Sequence, residues 1–390
     1  MTPQARVASA IEILDEWMSG QPAEQALTRW ARRSRFAGSK DRAAIRDLVF
    51  EAIRVKESAE TLGGGTDGRA VMIGLLRYRG DDPKQFFSGE RFAPAPLDAH
   101  ETKLLDSPVP EFHWNLPEWL VVRFQTEFGE DAQHIALALA ARAPVTLRVN
   151  ARKAGRTVAQ NALAQEGILT RENALAPYAL TVTDGARRVR QSLPYQTGIV
   201  EIQDASSQAV VELLPQARRC LDYCAGGGGK ALALAAQPNR HVTAHDSDMA
   251  RMADIAPRAA RAGVEIEQQG TRGLAGAPAF DLVFCDVPCS GSGAWRRSPD
   301  AKWRLTKDRL AELRVVQQGI LARAVPLVHP SGWLVYATCS VLPEENENVI
   351  ATFLDQNPQW VCSLQRRYAI GVDGDGFFTA HLQRRTVQAS

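Results

Sequence analysis

The chain has 390 residues, 45% of them apolar and 23% charged, with a formal net charge of +2. This supplies a core for two or three domains of about 100–200 residues each. No run of about 18 apolar residues occurs, which excludes an ordinary transmembrane helix. Met1–Trp17 has charges inside its apolar stretch and no small-residue cleavage pattern, against a secretory signal. Cys220, Cys224, Cys285, Cys289, Cys339 and Cys362 all fall in the C-terminal half, too sparse for a disulfide scaffold. Reduced thiols in a cytoplasmic chain are expected.

In chain order, Val7, Ile11, Leu14 and Trp17 recur at helical steps, as do Ile45, Leu48, Val49 and Ile53, then Val71, Leu75 and Tyr78. From between the first two sets into the start of the second runs a basic stretch, Arg29, Arg32, Arg33, Arg35, Lys40, Arg42 and Arg46, against the single acid Asp41. It reads as a phosphate-binding stripe or as a solvated helix face. From Gly80 to Pro110 the pattern breaks into Asp, Gly and Pro, a loop or linker. Pro117 opens a helix with Trp119, Leu120 and Phe124. Val145–Val149 alternates as a strand, a helix runs through Val158, Leu163 and Ile168, and Tyr178–Val182 is extended again.

Beyond residue 200, strands and helices alternate. The expected strands are Cys220–Cys224, His241–Asp246, Val264–Gln268, Asp281–Asp286 and Trp333–Cys339. Helices are expected over Lys230–Ala236, Asp248–Ala262 and Lys307–Leu327. This is the rhythm of a doubly wound, mostly parallel α/β sheet.

The turn Cys224-Ala225-Gly226-Gly227-Gly228-Gly229-Lys230 follows the first of these strands, and Asp246 stands twenty residues after Gly226. Glycines let backbone approach a nucleotide, and an acid at the next strand end can bond a ribose hydroxyl. NAD would use the same geometry. Asp286-Val287-Pro288-Cys289-Ser290 and Thr338-Cys339-Ser340 end two further strands on the same sheet edge. Cys220/Cys224 and Cys285/Cys289 are both C-x3-C pairs, but they span apolar strands rather than loop knuckles, so no metal site is expected.

These segments resemble the RNA cytosine-5 methyltransferases related to the bacterial 16S ribosomal RNA enzyme with an N-terminal antitermination-factor-like helical domain. The resemblance lies in Asp222–Lys230, Phe280–Gly293, Arg297–Trp303, Gln317, Ser331–Ser340 and Pro343–Glu347. Gly198–Gln208 and Val145–Asn150 resemble the family's linker domain, Asp41–Ala43 with Leu48-Val49 its helical domain, and Gly376–Ala380 its closing strand.

The resemblance implies a Rossmann-like S-adenosylmethionine methyltransferase domain over 201–390. An all-α RNA-binding domain over 1–105 and a small α+β linker domain over 106–200 precede it. By resemblance Cys339 is the nucleophile, Cys289 assists release of the methylated base, Asp286 bonds the cytosine edge and Lys230 lies near cofactor and base. The turn Cys224–Lys230, Asp246 and Asp286 would hold S-adenosylmethionine, and Arg29, Arg32, Arg33 and Arg35 would meet RNA. The expected partner is ribosomal RNA, with a monomeric protein and neither membrane nor metal involved. Two positions depart from the family: Gly227 replaces the proline of its C-A-A-P-G-G-K turn, and Gly270 replaces an aspartate that holds the adenine amino group. Thr271 or the backbone is left for that last role. Two rival readings stand beside this one. One is a DNA cytosine-5 methyltransferase attacking through Cys289; the other is a non-catalytic RNA-binding or assembly factor.

Overall fold

The computed structural model describes residues 1–108 and 113–385. Contacts gather these into two compact units, Met1–Arg142 with Trp295–Arg304, and Ala143–Ala294 with Leu305–Ser390. Division by compactness therefore differs from the expected division at residues 105 and 200.

The first unit is helical. Pro3–Met18 starts with proline in its first turn and Thr2 capping the amide of Ala5 at 3.2 Å. It buries Val7, Leu14 and Trp17 against Ile45, Val49 and Ile53 of Ser39–Arg54. The helices Lys56–Gly63 and Gly68–Arg79 touch backbone to backbone: a Cβ at Gly74 would overlap the Ala59 carbonyl, and one at Gly63 that of Ala70. Only glycine permits that approach. Periodicity missed Ala23–Arg33, whose buried face is only Ala23, Ala26, Leu27 and Trp30, and Lys56–Gly63, whose face is mostly small residues. The stretch read as a linker contains the short helix Ala99–Leu104, opened by a capping box of Asp98 and Glu101. Trp295–Arg304 joins this unit from far along the chain. Trp303 Nε1 donates to Ile53 O at 2.7 Å, Lys302 Nζ to Arg54 O at 2.8 Å, and Trp17 Nε1 to Asp300 at 2.5 Å.

In the second unit the strands form two sheets among the described residues. β1 (Val145–Val149), β2 (Leu169–Glu172), β3 (Ala179–Asp184) and β4 (Val200–Ile202) make an antiparallel sheet in the order β2-β3-β1-β4. β5 (Arg219–Asp222), β6 (His241–His245), β7 (Ile266–Gln269), β8 (Phe280–Asp286), β9 (Val328–Thr338), β10 (Trp360–Tyr368) and β11 (Phe377–Arg384) make the larger one, in the order β10-β11-β9-β8-β5-β6-β7. β5 through β9 pair in parallel, while β11 runs antiparallel to both of its neighbours, β9 and β10. The chain winds outward from β5 in both directions, so the crevice between the carboxyl ends of β5 and β8 is the switch point where ligands bind in such sheets.

Successive residues of the inner strands enter opposite cores. Leu282 and Phe284 face one cluster, Val283 and Cys285 the other, as do Cys220 and Leu221. Burial on both faces explains why these strands read as continuous apolar runs. The helix expected over Asp248–Ala262 is broken into a 3-10 turn, Met249–Met252, and an α-helix, Ile255–Ala262, with Pro257 in its first turn. The small sheet belongs to this unit through polar ties: Arg148 donates to Gly229 O at 2.9 Å and Asn150 to Ala262 O at 2.8 Å.

Candidate active site

The carboxyl ends of β5, β6, β8 and β9 bring the catalytic candidates together. After β5, Ala225 N donates to His245 O at 2.8 Å and Gly228 N to Ala225 O at 2.8 Å, which folds the glycine turn back on itself. Gly226 and Gly228 take φ of +50° and +78°, in the left-handed region. Gly227 does not, so it lacks the left-handed backbone that a proline could not adopt. The turn ends in the helix Gly229–Ala236, whose first residues aim Lys230 across the sheet edge.

Asp246 is 2% exposed. Its Oδ2 accepts from Gly226 N at 3.0 Å and its Oδ1 from Asp248 N at 3.0 Å, and Arg251 pairs with it at 3.1 Å. The acid at the second strand end thus holds the glycine turn in place. Gly270 sits beside Met249, whose Sδ would lie 3.2 Å from a Cβ there. The hydroxyl of Thr271 is shared with His245 Nε2 at 3.1 Å.

Lys230 Nζ meets Asp286 Oδ2 at 2.5 Å and lies 5.1 Å from the centre of the Phe377 ring. Burial draws the Lys230 pKa down, but Asp286 and Cys339 outweigh it and the net direction is up, so the ammonium is kept. Below this pair Asp222 is 1% exposed at the end of β5. Burial, and then the charge of Asp286, push its carboxyl up to about 7.

The sulfurs of Cys289 and Cys339 stand 3.5 Å apart, each thiol partly exposed. The Cys289 pKa is raised well above the ordinary thiol value by its hydrogen bond with Cys339, by burial, and by the charges of Cys339 and Glu345. The two thiols differ in surroundings: Cys339 lies where it acts on the Lys230 ammonium, and the Glu345 carboxylate acts on Cys289 and disfavours its thiolate.

Both cysteine turns are bound from beneath. Glu345, 0% exposed, accepts from Ser290 N at 2.8 Å, from Ser340 Oγ at 2.6 Å, from Gln317 Nε2 at 3.1 Å, and from Ser290 Oγ. Asn346 Nδ2 donates to Ser340 O at 3.0 Å. Site reasoning from the sequence did not single out Glu345, Ser290, Ser340 or Asp222. The only signal was their place inside motif segments, without a role. The basic run behaves differently from the expectation of one stripe. It spans two helices, Ala23–Arg33 and Ser39–Arg54. Arg29 and Arg33 are paired with Glu16 at 3.5 and 2.6 Å, and Arg46 with Glu24, while Arg32 and Arg35 are exposed.

Strand order, the glycine turn at the switch point, and an acid at each neighbouring strand end define a Rossmann-like nucleotide-binding fold. A family model described as 16S rRNA methyltransferase RsmB/F matches residues 210–383, and one described as the RsmF/B-like ferredoxin-like domain matches 116–189. The ribosomal RNA small subunit methyltransferase B of Salmonella heidelberg is 37% identical over 303 residues, covering 73% of this chain and 70% of that protein. Its namesake from Yersinia pestis is 33% identical over the same shares. The crystal structure of PH0851 superposes with a TM-score of 0.75 at 21% identity, covering 98% of this chain and 99% of its own. A methyltransferase homolog from Pyrococcus horikoshii does so with 0.59 at 24%, over 70% and 96%. The chain belongs to the RsmB/F family of 16S rRNA methyltransferases. Among the described residues no helix is long and apolar enough to cross a membrane.

Proposed function

We propose that this protein methylates carbon 5 of a cytosine in 16S ribosomal RNA through a covalent bond from Cys339 to carbon 6. The observation that carries the reading is the pair of sulfurs 3.5 Å apart beside the Lys230–Asp286 ion pair.

S-adenosylmethionine, when bound, supplies an electrophilic methyl group. The donor set suits it: Asp246 stands where a ribose hydroxyl is met, and the turn Cys224–Lys230 exposes backbone at Gly227. Carbon 5 of cytosine is a poor nucleophile. The Cys339 thiolate bonds to carbon 6, and the electrons of the 5,6 double bond make carbon 5 nucleophilic. Asp286, steadied by Lys230, hydrogen-bonds the pyrimidine edge and favours its protonated, electrophilic form. Once Cys339 is bonded to carbon, its hydrogen bond and its charge no longer hold the Cys289 proton in place, and the Cys289 thiol gives that proton to water. With the methyl group on carbon 5, the Cys289 thiolate takes the carbon 5 proton. The electrons of that carbon–hydrogen bond restore the 5,6 double bond, and the carbon 6–sulfur bond breaks with its electron pair returning to Cys339.

The two single variants test this on one denaturing gel with cofactor and ribosomal RNA. Cys339→Ala should be inactive and form no covalent complex. Cys289→Ala should attack and methylate but stall at release, leaving a trapped protein–RNA band. The reverse pattern would assign the attack to Cys289, as in the DNA enzymes. Full turnover by both folded variants would remove the thiols from the chemistry.

A further inference from the structure

Glu345 lies outside the set of groups that would touch cytosine or cofactor, yet it binds both cysteine turns at once. Ser290 directly follows Cys289, and Ser340 directly follows Cys339. One carboxylate oxygen accepts from the Ser290 amide and from Gln317, the other from the two serine hydroxyls. Four donors converge on one fully buried carboxylate, and none of them is a cation.

This acceptor directs the serine hydroxyl protons around it. Ser340 spends its proton on Glu345, so its oxygen is free to accept from Ser292 Oγ at 2.8 Å and from Leu342 N at 3.0 Å. Ser292 in turn accepts from Val341 N at 2.9 Å. Gln317 carries a second tie, from the same Nε2 to Pro288 O at 3.0 Å, on the residue before Cys289. A neutral residue at 345 cannot accept from all four donors while leaving this order of protons intact. Two turns fifty residues apart in the chain are thus held to one anchor.

We infer that Glu345 is the positioning residue of the thiol pair: its buried carboxylate holds the two cysteine turns in register and places a negative charge beside Cys289. This rests on the reading of Cys339 as nucleophile and adds the group that holds the two adjacent thiols in place. Among the described residues, Cys339 and the Glu345 carboxylate act on Cys289, and the Tyr336 phenol is acted on by Cys289, Glu345, Cys285 and Asp286.

The test has a thiol readout that needs no methylation. In a Cys339→Ser background, which isolates Cys289, the pH midpoint of Cys289 alkylation by iodoacetamide is followed by peptide mass. Adding Glu345→Gln should lower that midpoint, since a neighbouring negative charge that opposed ionisation is gone. With both cysteines present, Glu345→Gln should cut kcat roughly tenfold to a hundredfold, as expected for a misplaced reacting group, while cofactor affinity stays at the parent value. An unmoved midpoint in a folded Glu345→Gln protein overturns the inference, whatever becomes of turnover. A moved midpoint in a protein that never methylates cytosine would instead overturn the functional reading and leave the electrostatic role standing. Should Glu345→Gln fail to fold, Ser290→Ala and Ser340→Ala each remove one donor at small change of volume. Full turnover in both would overturn the positioning role.

Discussion

At the residue scale, Asp222 makes the clearest pH statement. Unfolded, its carboxyl ionises near the ordinary 3.8; folded, it keeps its proton up to about 7, because burial and then Asp286 oppose the charge. The folded state therefore binds more protons across that window. Stability from this group falls as pH rises from about 4 to about 7 and is level above, with an upper limit of about 4 kcal/mol. Asp222→Asn should flatten that part of the stability–pH curve measured by denaturant titration. A curve parallel to the parent's would show that the carboxylate is already ionised at low pH. Asp246 makes a different statement. We expect Asp246→Ala to lose about 1.5–3 kcal/mol of a charge-assisted hydrogen bond to ribose, roughly a ten- to hundredfold weaker S-adenosylmethionine Kd by calorimetry. Because Asp246 also accepts from Gly226 N, Asp246→Asn, which keeps an acceptor there, separates the two contributions. If the asparagine variant binds like the parent, the loss in alanine comes from the turn and not from the ribose contact.

At the element scale, the glycine turn contains positions of opposite character. Gly228 has φ +78° and a Cβ there would stand 2.6 Å from Ile255 Cγ1. Gly228→Ala should destabilise by at least the 1–2 kcal/mol that a left-handed conformation costs an ordinary residue, roughly. Gly227 lies outside the left-handed region, and its Cβ would meet only Arg258 Nη1 at 3.5 Å. Gly227→Ala should raise stability by about 0.4–1 kcal/mol by restricting the unfolded chain. Thermal melts of the two variants should move in opposite directions; a loss in both would mean that Gly227 is needed for its backbone freedom. The turn and its place after a strand were legible in the sequence because strand, glycines and helix are contiguous. The opposite demands on Gly227 and Gly228 were not, since they depend on which backbone angle each residue takes and on Ile255 from the neighbouring helix.

At the scale of the whole molecule, the basic run is the surface we propose to meet RNA. Arg29 and Arg33 share Glu16, and Arg46 is held by Glu24. Arg32, Arg35 and Lys40 are exposed, next to Phe36 at 76% exposure. A cationic surface with an exposed ring suits phosphates and an unpaired base. Replacing Arg32, Arg35 and Lys40 with alanine should weaken binding to ribosomal RNA. It should also shallow the log–log salt slope by roughly 0.7–0.9 for each phosphate that is no longer neutralised. Replacing Arg29 and Arg33 should shallow it less, because those guanidiniums are already neutralised. Equal slopes for parent and triple variant, both folded, would return the run to a solvated helix face.

The sequence by itself determined the alternation of strands and helices beyond residue 200, the glycine turn, and the cysteines at two strand ends. Each of these is a local pattern, in which apolar period and turn chemistry act over a few residues. The helices over Ala23–Arg33 and Lys56–Gly63 escaped it, since their narrow or small-residue faces carry little periodic signal. Only the tertiary structure decided that Trp295–Arg304 packs with the N-terminal helices, and that Ser290, Gln317 and Ser340 converge on Glu345. Those partners lie 5 to 55 residues apart, and a buried carboxylate finds its donors through the packing of separate strands and helices. No spacing rule along the chain encodes such a meeting; it follows from the parallel sheet, which carries distant strand ends to one edge.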